Sequence, residues 1–184
     1  KAVEDARDVG DVVAFSVDYG QRHFKEMGAS EVICDHIGVR YRVLKLAEQP
    51  GSMLMNPREE IPDTTYAEIE GVSPTYVFFR NGQLLSYATA VGHSLLKNEE
   101  EGLIYFGAHA EDAAGFAYPD CTAMFLGAMA SAIYIGTYHK MQLCVPLQWM
   151  LKHEIVKLGA KLGVPFELTW SRYKGEALHC GADR

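Results

Sequence analysis

The chain has 184 residues, nearly half of them apolar, which is enough for one domain with a real core and excludes a disordered or fibrous protein. Its formal net charge of -7 argues against nucleic acid as the main partner, because phosphate backbones select for an excess of Lys and Arg. No apolar run approaches the roughly 18 uncharged residues of a membrane span, and no charged-then-apolar signal segment opens the chain. The expectation is a soluble, cytoplasmic protein with no membrane partner. Four cysteines, Cys34, Cys121, Cys144 and Cys180, lie far apart in no C-x-x-C pair, which suits a reduced compartment better than a disulfide framework.

Residues 1–9 read as the end of a polar helix closed by Gly10. The first residue already lies inside that helix, so an upstream segment is expected. Residues 12–17 are apolar and β-branched, as a buried strand requires, and end in Asp18-Tyr-Gly-Gln-Arg-His23. Over 23–37 the apolar residues Phe24, Met27, Val32, Ile33 and Ile37 recur at roughly helical spacing, and Gly38 ends the run. Residues 40–46 read as a strand. The stretch 48–74, with Pro50, Pro57, Pro62 and Pro74, reads as a long loop, uncommon in a compact domain unless it serves a function.

Helical periodicity returns over 83–96 and passes into the solvated run Lys97-Asn-Glu-Glu-Glu101. Residues 103–106 form a short aromatic-rich strand that Gly107 stops. A polar loop follows over 107–121. Helix 124–138, strand 141–145 and an amphipathic helix over 151–162 that ends at Gly163 complete the alternation, and 166–184 reads as an irregular tail. Repeated βα alternation with apolar strands implies an α/β fold, a parallel sheet with helices on both faces. The expected organisation is one domain over 1–165 and the tail over 166–184.

The loop 107–121 is the first candidate site, since open α/β sheets place ligands at the carboxyl ends of their strands. Its bland reading is a surface loop in which Asp120 caps a helix. A second cluster is Asp18, Tyr19, Gln21, Arg22 and His23 at a strand end, where Arg and His can meet an anion and Tyr can stack on a base. The competing reading is an aspartate cap and a turn glycine. A third is Arg80-Asn81-Gly82, opening a helix after the aromatic run 76–79. Free N–H groups and positive potential at a helix start make Arg80 a candidate phosphate clamp, while Asn81 is equally a candidate helix cap. Lys152 near another helix start can reach phosphate. Cys121 also stands near a helix start, a position that lowers a thiol pKa, and pairing with His109 or His139 would make it a nucleophile.

These residues carry a resemblance. Asp18-Tyr-Gly-Gln-Arg-His23, Arg80-Asn81, Ala117-Tyr-Pro-Asp-Cys121, Pro146-Leu with Lys152-His-Glu-Ile-Val-Lys-Leu-Gly159, and Thr169-Trp-Ser171 with Cys180-Gly181 resemble the ordered motifs of 7-cyano-7-deazaguanine synthases. That family makes 7-deazaguanines for queuosine biosynthesis and belongs to the adenine nucleotide α-hydrolase-like, Rossmann-like N-type ATP pyrophosphatases. The resemblance runs from about residue 12 to 181. It implies adenylation of 7-carboxy-7-deazaguanine by ATP, entry of ammonia to give the amide, and a second adenylation whose AMP is eliminated to leave the nitrile. It further implies Arg80 and Lys152 as catalytic charges on phosphate. Asp18, Tyr19, Gln21, Arg22 and Asn81 would lie at the nucleotide, and Tyr118, Asp120, Cys121 and Asp112 at the deazaguanine. Within that set a carboxylate such as Asp120 suits a guanine-like N–H edge, and Cys121 lines the pocket. Implied cofactors are ATP, Mg2+ and Zn2+, and the implied assembly is a homodimer, for which Met124, Met129, Ile133 and Ile135 offer a face.

The sequence also departs from the family pattern. It has no Ser-Gly-Gly-x-Asp-Ser phosphate loop, so the chain is expected to begin after it. Of the four tail cysteines that hold zinc, Arg172 replaces the first and only Cys180 is present. One thiolate does not complete a tetrahedral site. Phe78-Phe79 stands where Pro-Gly is usual, and Ala117 replaces a glycine. These changes motivate two alternatives: a ligase that forms the amide or transfers the base, and a non-catalytic 7-deazaguanine-binding protein.

Overall fold

A computed structural model of the chain describes residues 10–20, 25–46, 73 and 75–170. The expected helix over 1–9, the loop over 48–74 apart from Ser73, and the tail beyond Trp170 lie outside the described residues. Two compact units are present, one made of 1–65 and 159–184, the other of 66–158.

In the first unit, strand β1 (Val13–Asp18) is followed by helix α1 (Lys25–Ile37) and strand β2 (Arg40–Lys45). β1 and β2 pair in parallel, Val13 opposite Arg40 and Asp18 opposite Lys45. A parallel pair needs a crossover between its strands, and α1 supplies it. The crossover turns where the glycine signal places it. Gly38 has φ 70°, its N–H donates to Asp35 O, and Val39 N–H donates to Cys34 O at 2.9 Å, the paired bonds of a Schellman cap that only glycine adopts without steric cost. Tyr41 then ties β2 to α1 by donating its hydroxyl to Met27 O.

The second unit opens its helical part with α2 (Arg80–Leu95) and continues through β3 (Gly102–Tyr105), a one-turn helix α3 (Ala110–Ala113), tight turns at Ala114–Phe116 and Pro119–Cys121, α4 (Ala123–Gly136) and β4 (Met141–Cys144). Helix α5 (Lys152–Lys161) starts in this unit, and the chain from Gly159 onward belongs to the first. The order of strands and helices is the one periodicity implies. What had been read as a loop over 107–121 contains three helical turns, because runs of three or four residues are too short for periodicity to register. The four strands form two parallel pairs, so the described residues are mixed α/β with small sheets.

The core of the second unit is Leu85, Ala108, Cys121, Leu126, Ile133 and Met141, with Ile104, Phe106, Phe125 and Leu143 packed against it. Leu85 and Leu126 are the largest fully buried side chains, each contributing about 1.5–3 kcal/mol through apolar burial. Of the four residues offered as an association face, Ile133 is buried and Met129 packs on the core, whereas Met124 and Ile135 are 75% and 70% exposed. They do not share one face.

β3 and β4 pair in parallel with Gly102 opposite Met141. A Cβ at Gly102 would fall on the Met141 sulfur, and Met141 is buried in the core, so glycine is required here for space. Gly102→Ala is expected to lower stability by about 1–3 kcal/mol, the usual cost of overpacking. Urea unfolding checks it, and a melt equal to wild type would show that the thioether moves aside freely.

Candidate functional site

Helix α2 begins without a capping side chain of its own. Its first flanking residue is Phe79, at φ 54° and ψ 28°, with no side-chain cap bond. Asn81 is therefore inside the helix and is not its cap, contrary to one of the two readings of the sequence. Its backbone N–H is one of the orphan donors of a helix start, and it donates to Asp120 Oδ2 at 2.9 Å. The cap comes from 39 residues downstream. Asp120 in turn does not cap the helix that follows it, as the loop reading expected. Thr122 does, accepting from Phe125 N–H.

The Asn81 side chain completes the lock. Its amide donates to Cys121 Sγ at 3.1 Å and to Asp120 O at 3.4 Å, and both acceptor residues are buried. Burial pushes the Asp120 carboxyl above its ordinary value, opposed by the Asn81 N–H and the Arg80 charge. The Cys121 thiol is pushed up to about 12, chiefly by burial and then by the charges of Asp112 and Asp120. This corrects the expectation that a nearby helix start would lower it, because desolvation outweighs the partial charge of the helix end. Neither proposed histidine bonds to the thiol. His139 stacks on Tyr134 at 4.5 Å, and His109 pairs with Asp112 at 3.2 Å.

The Ala117-Tyr-Pro-Asp-Cys121 turn is held from several sides. Tyr118 N–H donates to Asp112 O, and Ser73 N–H donates to Ala117 O. The Tyr118 hydroxyl lies 2.6 Å from Thr75 Oγ1 and accepts from Ser73 Oγ at 3.1 Å. Gln148 donates to Cys121 O. Lys152 reaches the same neighbourhood through its backbone, its N–H donating to Glu111 Oε1 at 2.9 Å, while Ala110 N–H donates to Met150 O. Thus Arg80, Asn81, Asp112, Tyr118, Asp120 and Cys121 are brought together in the second unit, and Glu111 links Lys152 to the helical turn that carries Asp112.

The other expected residues stand apart from this description. Asp18 closes β1, where its carboxylate accepts from Gly20 N–H at 3.1 Å and its carbonyl from Leu46 N–H, an Asx turn that agrees with the bland reading of Asp18. Tyr19 is buried in the first unit. Gln21, Arg22 and Cys180 lie outside the described residues. Among the described residues no group of three or more His, Cys, Asp or Glu is gathered that would hold a metal ion, and no chemical step is derived through zinc or magnesium. No helix among the described residues is long and apolar enough to cross a membrane. Sequence reading missed Ser73, Thr75 and Glu111 as supports, and Thr122 as a cap. Thr122 was the readable one, a Thr directly before an apolar helical run.

A parallel α/β unit that buries a carboxylate at a helix start, beside an arginine and a neutral thiol, suits recognition of a small molecule bearing N–H donors and an anion. Comparison with known proteins gives the family. The chain matches the queuosine biosynthesis protein QueC family over residues 2–183 and belongs to it. It is 43% identical over 177 residues to a 7-cyano-7-deazaguanine synthase of Thermoplasma volcanium, covering 93% of this chain and 71% of that protein. It is also 38% identical to that of Picrophilus torridus, with 93% and 72% covered, and 35% identical to that of Desulfotalea psychrophila, with 91% and 75% covered.

Asp120→Ala leaves the Asn81 N–H uncapped and is expected to cost about 1–2 kcal/mol, whereas Asp120→Asn keeps an acceptor. A carboxyl whose pKa is raised on folding contributes most below its ordinary value of 3.8 and loses that contribution as pH rises through the raised value. The stability of Asp120→Asn relative to wild type should therefore rise with pH above about 4, as urea melts across pH would show, and a flat or falling difference would contradict it. With its thiol at about 12, Cys121 should be roughly one part in ten thousand thiolate at pH 8. Iodoacetamide labelling read by peptide mass should spare it in the native protein and modify it after denaturation.

Proposed function

We propose that the protein is the ATP-dependent C–N ligase that converts 7-carboxy-7-deazaguanine and ammonia to 7-cyano-7-deazaguanine through an adenylated acid and an amide. The observation that carries this reading is the family match over nearly the whole chain, together with relatives bearing that enzyme's name. Support at the residue level comes from the buried Asp120 carboxylate in the turn 117–121. Desolvated and fixed by backbone N–H groups and the Arg80 charge, it is a preorganised acceptor with little water to strip away, the partner that a guanine-like N–H edge requires.

On this reading Arg80 and Lys152 offset the charge of transferring phosphate, and Asp112, Tyr118 and Cys121 surround the deazaguanine. Asp18, Tyr19, Gln21 and Arg22 serve the nucleotide. The Asn81 side chain, spent on Cys121 and Asp120, acts by fixing the turn. The adenine nucleotide α-hydrolase-like arrangement, a single domain over 1–165, a zinc-linked tail containing Cys180, a magnesium requirement, a cytoplasmic location and a homodimer belong to the same proposal.

The test supplies the acid, ATP and isotopically labelled ammonia to the protein. The expected product is the nitrile carrying that nitrogen, with AMP released only when acid and ammonia are both present. Accumulation of the amide as end product would favour the amide-forming ligase, for which Phe79 supplies the motive, its exposed ring lying over Gly82 and Phe125 at the helix start. Absence of AMP release would overturn the ligase and favour a binding protein.

A further inference from the structure

One buried side-chain polar atom among the described residues has no hydrogen-bond partner, Nδ1 of His109. The other ring nitrogen, Nε2, lies 3.2 Å from Asp112 Oδ2, and the two side chains are 14% and 25% exposed. A carboxylate beside Nε2 favours the tautomer that carries its proton there, in which the ring's lone pair is on Nδ1. A buried acceptor left unpaired is disfavoured unless a ligand completes it. The backbone holds the pair still. His109 is extended, at φ -137°, just before helical turn α3. Ala110 N–H is held by Met150 O and Tyr118 N–H by Asp112 O. Asp112 is also close enough to act on both Asp120 and Cys121 through its charge, so the dyad adjoins the candidate deazaguanine site.

We infer that His109 is the base that takes protons from the reacting nitrogen, with Asp112 as its positioning residue. This rests on the ligase reading above. In that reaction ammonia attacks the acyl adenylate, nitrogen gives up one proton, and the bond from carbon to the AMP oxygen breaks. The amide oxygen is then adenylated by a second ATP with loss of pyrophosphate. Nitrogen gives up its last two protons as the carbon–oxygen bond breaks and AMP departs, and the electron pair of the final N–H bond becomes the third carbon–nitrogen bond. Three protons leave one nitrogen, and adenylation itself removes none. A lone pair at Nδ1, aimed by Asp112 and shielded from water, meets the requirement for a base that acts repeatedly at a single atom.

His109→Gln tests this, because its amide keeps a donor for Asp112 and removes the Nδ1 lone pair. In the intact protein, ATP–pyrophosphate exchange dependent on 7-carboxy-7-deazaguanine should stay within about threefold of wild type, while conversion of supplied amide to nitrile should fall about 100-fold or more. His109→Ala should show the same split and recover conversion with added imidazole. Equal loss of exchange and conversion would overturn the inference in favour of a binding or structural role, and wild-type conversion by His109→Gln would overturn it outright. A wild-type protein with no acid-dependent exchange would sink the ligase reading itself.

Discussion

The contact on which the second unit depends is a carboxylate buried against the start of a helix. α2 enters from Phe79 in the left-handed region with no capping side chain of its own, so its orphan N–H groups need an acceptor from elsewhere. Asp120 supplies one at 2.9 Å and meets the positive end of the helix dipole with negative charge. Removing a carboxylate from water costs several kcal/mol, which hydrogen bonds from the Asn81 and Asp120 N–H groups offset in part. Arg80 offsets part of the remainder through its charge. A carboxylate whose charged form burial still disfavours is suited to meeting further N–H donors from a ligand.

That single contact organises its neighbours. Because Asn81 N–H points at Asp120, the Asn81 amide faces Cys121 Sγ and Asp120 O. The turn 117–121 is thereby fixed to α2 on one side and to Ser73 and Thr75 on the other. Tyr118 is left with its hydroxyl engaged, which limits rotation of its ring. A ring held this way is a platform that loses little entropy when another flat ring stacks on it.

Much of the fold could be read from the chain, and the exceptions have a common physical origin. β1, α1 and β2 were visible because β-branched runs and the Gly38 stop act locally, and α5 ends at Gly163, φ 71°, for the same reason. The end of α4 was less legible. Tyr138 and His139 both adopt positive φ, which their residue types do not announce, and the turn is held by Thr137 Oγ1, accepting from Met141 N–H. The site residues were legible as a set of motifs but not as a mechanism. Asp120 and Cys121 were named, yet the Asp120 cap on α2 spans 39 positions and no local periodicity encodes it. The direction of the Cys121 shift failed similarly, since position suggests the helix end while burial, a tertiary property, decides the sign.

The acids of the second unit show how an anion can be handled among negative charges. Glu111, Asp112 and Asp120 fall within ten residues, and left bare they would repel a carboxylate or a phosphate. Each has a donor: Glu111 the Lys152 N–H, Asp112 the His109 ring, Asp120 the Asn81 N–H. Burial chiefly, and then the charges of Asp112 and Asp120, keep the Cys121 thiol neutral. On the proposed reaction that neutrality has a purpose, because a thiolate beside an acyl adenylate would attack the activated carbonyl and divert it to a thioester before ammonia arrived. A thiol at about 12 fills the space with a soft, apolar group and leaves the carbonyl to the nitrogen.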